Sequence, residues 1–217
     1  MASATAGVIL WCGTPEPATV FGGPRSRPAT ESFWRFPRTE RFSSPPVTPC
    51  HSGNPVILGI LSDTHDELAR TRLAVQLLRE AGAEALVHCG DITTPPVLAA
   101  CAGLPCWFVF GNHDADAVPL LRRGGAEAGA VCLEWGGVVE LAGRRVGVAH
   151  GHLTSDLRHV LADHPDYLLT GHTHAAFDRT DGPVRRINPG ALHRADVYTV
   201  ALLDLATGEL RSITVPE

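Results

Sequence analysis

Aspartate, histidine and asparagine fall in five short clusters along the chain: Asp63-Thr64-His65, Gly90-Asp91, Gly111-Asn112-His113-Asp114, His150-Gly151-His152 and Gly171-His172-Thr173-His174. Their side chains are hard-to-borderline oxygen and nitrogen ligands, suited to Mn, Fe, Zn or Ni. In Asp-x-His and His-x-His, two side chains project to the same side of an extended segment, so two ligands can reach one centre. Flanking glycines let the backbone turn tightly and approach closely. Taken singly, each cluster has an ordinary explanation. A lone Asp-x-His is common, Gly-Asp carries almost no information, and the longer clusters can be turns. All five in this order, each after an apolar segment, point to a metal site.

The segments that must position them read as strands and helices. Residues 56–61 form a continuous apolar run, as expected for a strand buried on both faces. Residues 66–81 have the amphipathic spacing of a helix ended by Gly82. Short strands are expected at 85–88 and 106–110, with a proline-initiated helical turn near 95–101 between them. This alternation predicts a parallel sheet in an α/β domain, where ligands gather at the carboxyl ends of strands. The five clusters would then converge from one sheet edge. The second half predicts strands at 138–141, 144–149, 167–170, 177–187 (broken at Asp181-Gly182) and 198–205 paired with 209–215. Hairpin signals at Asp181-Gly182 and Thr207-Gly208 make it richer in antiparallel pairs, and 155–162 reads as a polar helix.

Composition narrows the classes. The chain has 217 residues and a net charge of −5, which disfavours a broad electrostatic grip on nucleic-acid phosphates. All 18 basic residues are arginine, a bias that genome base composition explains. The longest apolar run near either end, 7–12, is far short of the ~20 residues that span a bilayer, so no membrane partner is expected. Cys12, Cys50, Cys89, Cys101, Cys106 and Cys132 form no C-x-x-C pair. With no basic region of a secretory signal in residues 1–7, they read as free buried thiols of a reduced, cytoplasmic protein. Collagen, coiled coil, membrane channel and disulfide scaffold are excluded.

Residues 1–54 hold 8 of the 17 prolines and keep no period of 2 or 3.6. They read as a disordered or non-native extension, the latter if the start is assigned too far upstream and the working protein begins near Val56. A transit peptide is the second reading, opposed by Glu16, Glu31 and Glu40, and a functional arm the third. Residues 55–217 form the functional domain.

The pattern D-x-H … G-D … G-N-H-D … H-G-H … G-H-T-H resembles the calcineurin-like metallophosphoesterase superfamily over residues 56–217. SDTHD at 62–66, HCGD at 88–91 and NPG at 188–190 are most similar to its small YfcE-like phosphodiesterase branch. The resemblance implies an α/β fold: a four-layer α/β/β/α sandwich of two mixed sheets, with a dinuclear metal site at the strand ends. Residue by residue, it implies Asp63, His65 and His174 as ligands of a first metal. Asn112, His150 and His172 would hold a second, and Asp91 would bridge the two. His113 would stabilise the transition state, and Asp114 would orient it. The cofactors implied are two divalent transition-metal ions, with Mn favoured and Ni, Fe or Zn open.

Two such ions ~3.5–4 Å apart clamp a phosphate and lower the pKa of a shared water, and the resulting bridging hydroxide attacks phosphorus. Asn112 supplies an oxygen without adding negative charge. His113 as imidazolium could hydrogen-bond a phosphoryl oxygen or protonate the leaving group. His152 either contacts substrate phosphate or supports a ligand. His88 reads as support or packing, His193 as a rim candidate after the NPG turn, and Arg185-Arg186 as solvated. No long lid insertion is evident, so a small or open site follows, with a few rim residues setting specificity. The partner expected is a small phosphate ester, and the oligomeric state is left open. Competing readings are a phosphomonoesterase, a nuclease (disfavoured by charge and the lack of a stacking platform), and a non-catalytic scaffold. The same fold serves as an interaction subunit of the retromer coat, but such scaffolds can dispense with metal ligands that are intact here.

Overall fold

The computed structural model describes residues 57–217; the readings offered for residues 1–54 lie outside the described residues. Strand β1 (Ile57–Leu61) begins a first sheet, followed by helix α1 (Leu68–Glu80), β2 (Ala85–His88), α2 (Pro95–Cys101) and β3 (Cys106–Phe108). A 3-10 turn at Ala115–Ala117 leads into α3 (Val118–Glu127) and a two-residue strand, β4 (Val131–Cys132). Then come β5 (Gly136–Leu141), β6 (Arg144–Ala149), α4 (Thr154–Ala162), β7 (Tyr167–Leu169), β8 (Phe177–Asp181), β9 (Val184–Asn188), β10 (Thr199–Asp204) and β11 (Leu210–Thr214).

The strands form two mixed sheets, in the orders β11-β10-β1-β2-β3-β4 and β5-β6-β7-β9-β8. In the first, β1 to β4 are parallel and β10 and β11 antiparallel. In the second, β6, β7 and β9 are parallel, flanked by antiparallel β5 and β8. Alternate residues explain the layering. Leu58, Ile60, Val87 and Trp107 of the first sheet meet Val146, Val148, Leu169 and Ile187 of the second in one buried cluster. The opposite face of the first sheet carries Leu86 and Leu202 against Val75 and Leu78 of α1, and Phe108 against Leu98 of α2 and Leu121 of α3. Ala149 and Leu168, on the outer face of the second sheet, pack on Val160 of α4. The order of layers is therefore α/β/β/α, and β1, buried on both faces, is apolar throughout.

Helix α3 and strand β4 are not signalled by the sequence pattern. Gly124 and Gly125 depress the helical propensity of α3. Tertiary contact explains their presence: a Cβ at Gly124 would lie 2.5 Å from Pro95 Cβ, and one at Gly125 would lie 2.6 Å from the Phe108 ring. Only glycine lets α3 lie this close to α2 and the sheet.

Candidate metal centre

The five clusters do leave strand ends, but from two sheets rather than one edge. Those after β1, β2 and β3 come from the first sheet, and those after β6 and β7 from the second. Cross-sheet hydrogen bonds tie them. His150 Nδ1 bonds Cys89 O at 2.8 Å, and the His172 N–H donates to Asp63 Oδ2 at 3.0 Å. Nor are the paired motifs extended. Asp63, His65, Asp91, His172 and His174 all have positive φ, between 40° and 68°. Aspartate and histidine tolerate this region better than most residues, yet each such residue costs of order 1 kcal/mol and persists only where the surroundings fix it. The left-handed turns split His-x-His. His174 joins Asp63 and His65, whereas His172 faces Asn112.

The two carboxylates share one design. Asp63, fully buried, accepts from Ser62 Oγ (2.6 Å) and the His172 N–H (3.0 Å) through Oδ2. Among the described residues its Oδ1 has no hydrogen-bond partner, and it faces His174 Nε2 at 3.2 Å. Asp91 accepts the His113 N–H through Oδ1 (2.9 Å) and turns Oδ2 toward His65 Nε2 and His150 Nε2, each 3.3 Å away. One oxygen thus anchors each residue and the other is offered to the cluster. His65 Nε2 is also buried and, despite its approach to Asp91, lacks hydrogen-bond geometry. On the other side, Asn112 Oδ1 lies 3.1 Å from both His150 Nε2 and His172 Nδ1.

Charge in the cluster is strongly coupled. Burial works against the charged form of Asp91, but His150, His65 and the His113 N–H outweigh it and hold the carboxyl well below the usual range. Burial likewise opposes the charged form of His150, yet Asp91 and Asp63 raise its pKa. A divalent cation would give the carboxylates the same compensation and release such protons. Buried, unpartnered oxygen and nitrogen atoms converging among carboxylates, imidazoles and an amide oxygen fit a cation of the borderline class.

His113 is exposed, its ring 4.8 Å from that of His65, and its nitrogen falls in one group with His65 and Asp91. Asp114 is placed otherwise than its expected role suggests. Its buried carboxylate accepts the N–H groups of Ile92 (2.9 Å), Thr93 (2.7 Å) and Gly111 (2.8 Å). Among the described residues it makes no hydrogen bond to the His113 ring. It acts on the loop that carries His113, joining it to the loop after β2. Burial raises its pKa despite the three N–H donors.

The supporting histidines are resolved by geometry. His88 Nδ1 accepts the Gly90 N–H at 3.2 Å, which leaves Nε2 to donate to Thr64 Oγ1 at 3.1 Å. Burial, reinforced by His150, lowers its pKa to about 3. Between pH 6.5 and 3 the unfolded chain binds a proton here that the folded chain refuses. Stability therefore falls as pH drops through that window, by up to roughly 1.4 kcal/mol per pH unit. Urea unfolding of metal-free protein at pH 6.5 and 4.5 should show a smaller pH-dependent loss in His88→Asn than in wild type. His152 packs beside His150, His172 and Trp135, and burial lowers its pKa. Arg185 and Arg186 lie away from the cluster, facing Asp178 and Asp181. Cys89, Cys101 and Cys106 are buried free thiols.

Gly171 is the tightest of the site glycines. A Cβ there would overlap Ser62 Oγ and lie 2.6 Å from Asp63 Oδ2. Gly171→Ala should push Asp63 off its anchor and weaken metal affinity roughly 10–100-fold, the scale of losing an outer-shell support. Metal titration with circular dichroism on the same samples checks this, and an unchanged affinity would count against it.

Residues 56–208 match the model of the calcineurin-like phosphoesterase superfamily domain, and the chain belongs to that superfamily. It is accordingly a metal-dependent phosphoesterase, a hydrolase. A phosphodiesterase of Methanocaldococcus jannaschii is 28% identical over 164 residues, which cover 73% of this chain and 98% of that protein. The structure of an archaeal phosphodiesterase matches with a TM-score of 0.66 at 26% identity, covering 74% of this chain and all (100%) of that one. The phosphoesterase YfcE of E. coli shares the fold, with a TM-score of 0.54, 20% identity, and coverage of 74% and 100%. Among the described residues no helix is long and apolar enough to cross a membrane.

Proposed function

We propose that this chain hydrolyses small phosphodiesters at a centre of two divalent transition-metal ions, with Mn favoured over Ni, Fe or Zn. The observation that carries this reading is the pair of half-anchored carboxylates, each offering one oxygen to a ring of imidazoles. Asp63, His65 and His174 would hold one ion, Asn112, His150 and His172 the other, and Asp91 Oδ2 both. Ions held there supply an activated water and offset the charge of the phosphate. His150 presents Nε2 because Cys89 O takes its Nδ1 proton, and His174 presents Nε2 because Arg194 O faces its Nδ1 at 3.3 Å. His113, at the exposed edge, would donate to a phosphoryl or leaving-group oxygen, and Asp114 would position it through the backbone. Diester rather than monoester chemistry is supported by the phosphodiesterase similarity found in both sequence and structure. Buried free thiols support a reducing, cytoplasmic setting.

The test is hydrolysis of bis(4-nitrophenyl) phosphate and 4-nitrophenyl phosphate across Mn, Ni, Fe, Zn and Mg. Faster diester turnover, greatest with Mn, is expected; no turnover with any metal would return the chain to the scaffold reading. Residues 1–54 carry none of the site residues, and we propose that catalysis does not use them. A chain starting at Asn54 should keep its turnover within about twofold. A large loss at unchanged metal content would assign them to the substrate site.

A further inference from the structure

The cavity over the cluster, about 300 Å³, is lined by residues of the proposed centre and by two from the loop after β9, His193 and Arg194. That volume is at the low end for small-molecule pockets, so anything in it touches most of the wall. The loop is held on both sides of these residues. Arg70 Nη1 donates to Leu192 O at 2.6 Å and its guanidinium lies 3.7 Å over the Tyr198 ring, while the Leu192 N–H donates to Asp63 O at 3.2 Å. His193 Nδ1 sits 3.2 Å from Glu67 Oε1, its ring 4.7 Å from that of His65. Arg194 has φ +47°, the left-handed conformation it shares with five of the proposed ligands. A backbone held in that region by its neighbours is a fixed one, so the place where the Arg194 side chain leaves the loop is fixed too.

Among the described residues lining this cavity, Arg194 is the one with a permanently cationic side chain. Arg70, Arg122, Arg185 and Arg186 each face a carboxylate. Among the described residues Arg194 bonds only through its backbone carbonyl, which faces His174 Nδ1. Arg194 is an exposed residue of the cavity wall, and among the described residues its guanidinium has no ion-pair partner. The ligand set contributes just two negative charges, from Asp63 and Asp91, so two divalent ions can take up the charge of the scissile phosphate unaided. Arg194 is a cation left over.

We infer that Arg194 determines specificity by pairing with a second anionic group of the substrate, a carboxylate or phosphate on the organic part that stays with the scissile phosphorus. The inference rests on the metal-dependent phosphoesterase reading and adds the charge of the substrate to it. A planar guanidinium can hold such a group bidentately. Because it is solvent-exposed, the preference should be moderate, at most about fivefold.

The experiment uses the metal-loaded full chain and two non-hydrolysable probes of similar size, propylphosphonate and 3-phosphonopropionate. Calorimetry should show roughly three- to fivefold tighter binding of the carboxylated probe to wild type. R194Q should bring the two to near parity, and R194K should restore part of the preference. With matched 4-nitrophenyl diesters, the R194Q loss should fall on KM for the carboxylated substrate more than on kcat. Equal affinities in wild type, or a preference that survives in R194Q, would overturn the assignment. So would loss of metal from R194Q, which would mean that the residue acts through His174. Turnover of bis(4-nitrophenyl) phosphate without a probe preference would sink this inference alone. A probe preference without turnover would instead sink the phosphodiesterase reading.

Discussion

Replacement of Asp91 by asparagine is expected to remove activity to background and to lower metal content to below half of that in wild type. Asp91 is 2% exposed, with Oδ2 3.3 Å from imidazole nitrogens on both sides of the cluster. The amide oxygen of asparagine can still accept the His113 N–H that Asp91 Oδ1 accepts at 2.9 Å, so the loop should stay in place. The amide nitrogen would then point two donors and no charge at the position between the two imidazoles. In the proposed bridging position this should be tolerated least, since one oxygen would serve both ions and its negative charge would offset their repulsion. His174→Ala, by contrast, should empty mainly one site. Elemental analysis and diester turnover on the same samples decide it. Full metal content in Asp91→Asn would remove Asp91 from the bridge.

His113→Ala is expected to lower turnover roughly 10²–10³-fold while leaving metal content near wild type, the scale of losing one transition-state donor or general acid. The ring is exposed beside His65, and its backbone rather than its side chain is what Asp91 holds. Removing the ring therefore leaves that tie intact. The nitrogen does lie close enough to His65 and Asp91 to be a third ligand there, so metal analysis is the discriminating measurement. Retained metal with lost turnover supports the donor role, and lost metal makes His113 a ligand. If it protonates the leaving group, alkyl esters should suffer more than nitrophenyl esters, whose anions depart unaided. Equal losses favour charge stabilisation.

Much of the fold was legible because its strands are local signals. The apolar run at β1 needs no partner to be recognised, since burial on both faces leaves no room for polar residues. The hairpins at Asp181-Gly182 and Thr207-Gly208 were legible for the same reason. Helix α3 was not, because its two glycines answer to Pro95 and Phe108, residues far away in sequence.

In the candidate site, the order of residues along the chain was enough to set the chemistry on offer: two carboxylates, an asparagine amide and a set of imidazoles, delivered at strand ends. Residue type and the local hydrophobic pattern are enough for that. Tertiary structure decided how the groups are used. It drew the clusters from two sheets and turned the motif residues left-handed instead of extended. It spent one oxygen of each carboxylate on the backbone, engaged Asp114 with three N–H donors, and brought Arg194 into the cavity. Each of these depends on hydrogen bonds between loops remote in the chain, such as His172 to Asp63 and His150 to Cys89. A side chain at the end of a strand has no periodic neighbour to fix its direction, so only the loops packed around it can do so.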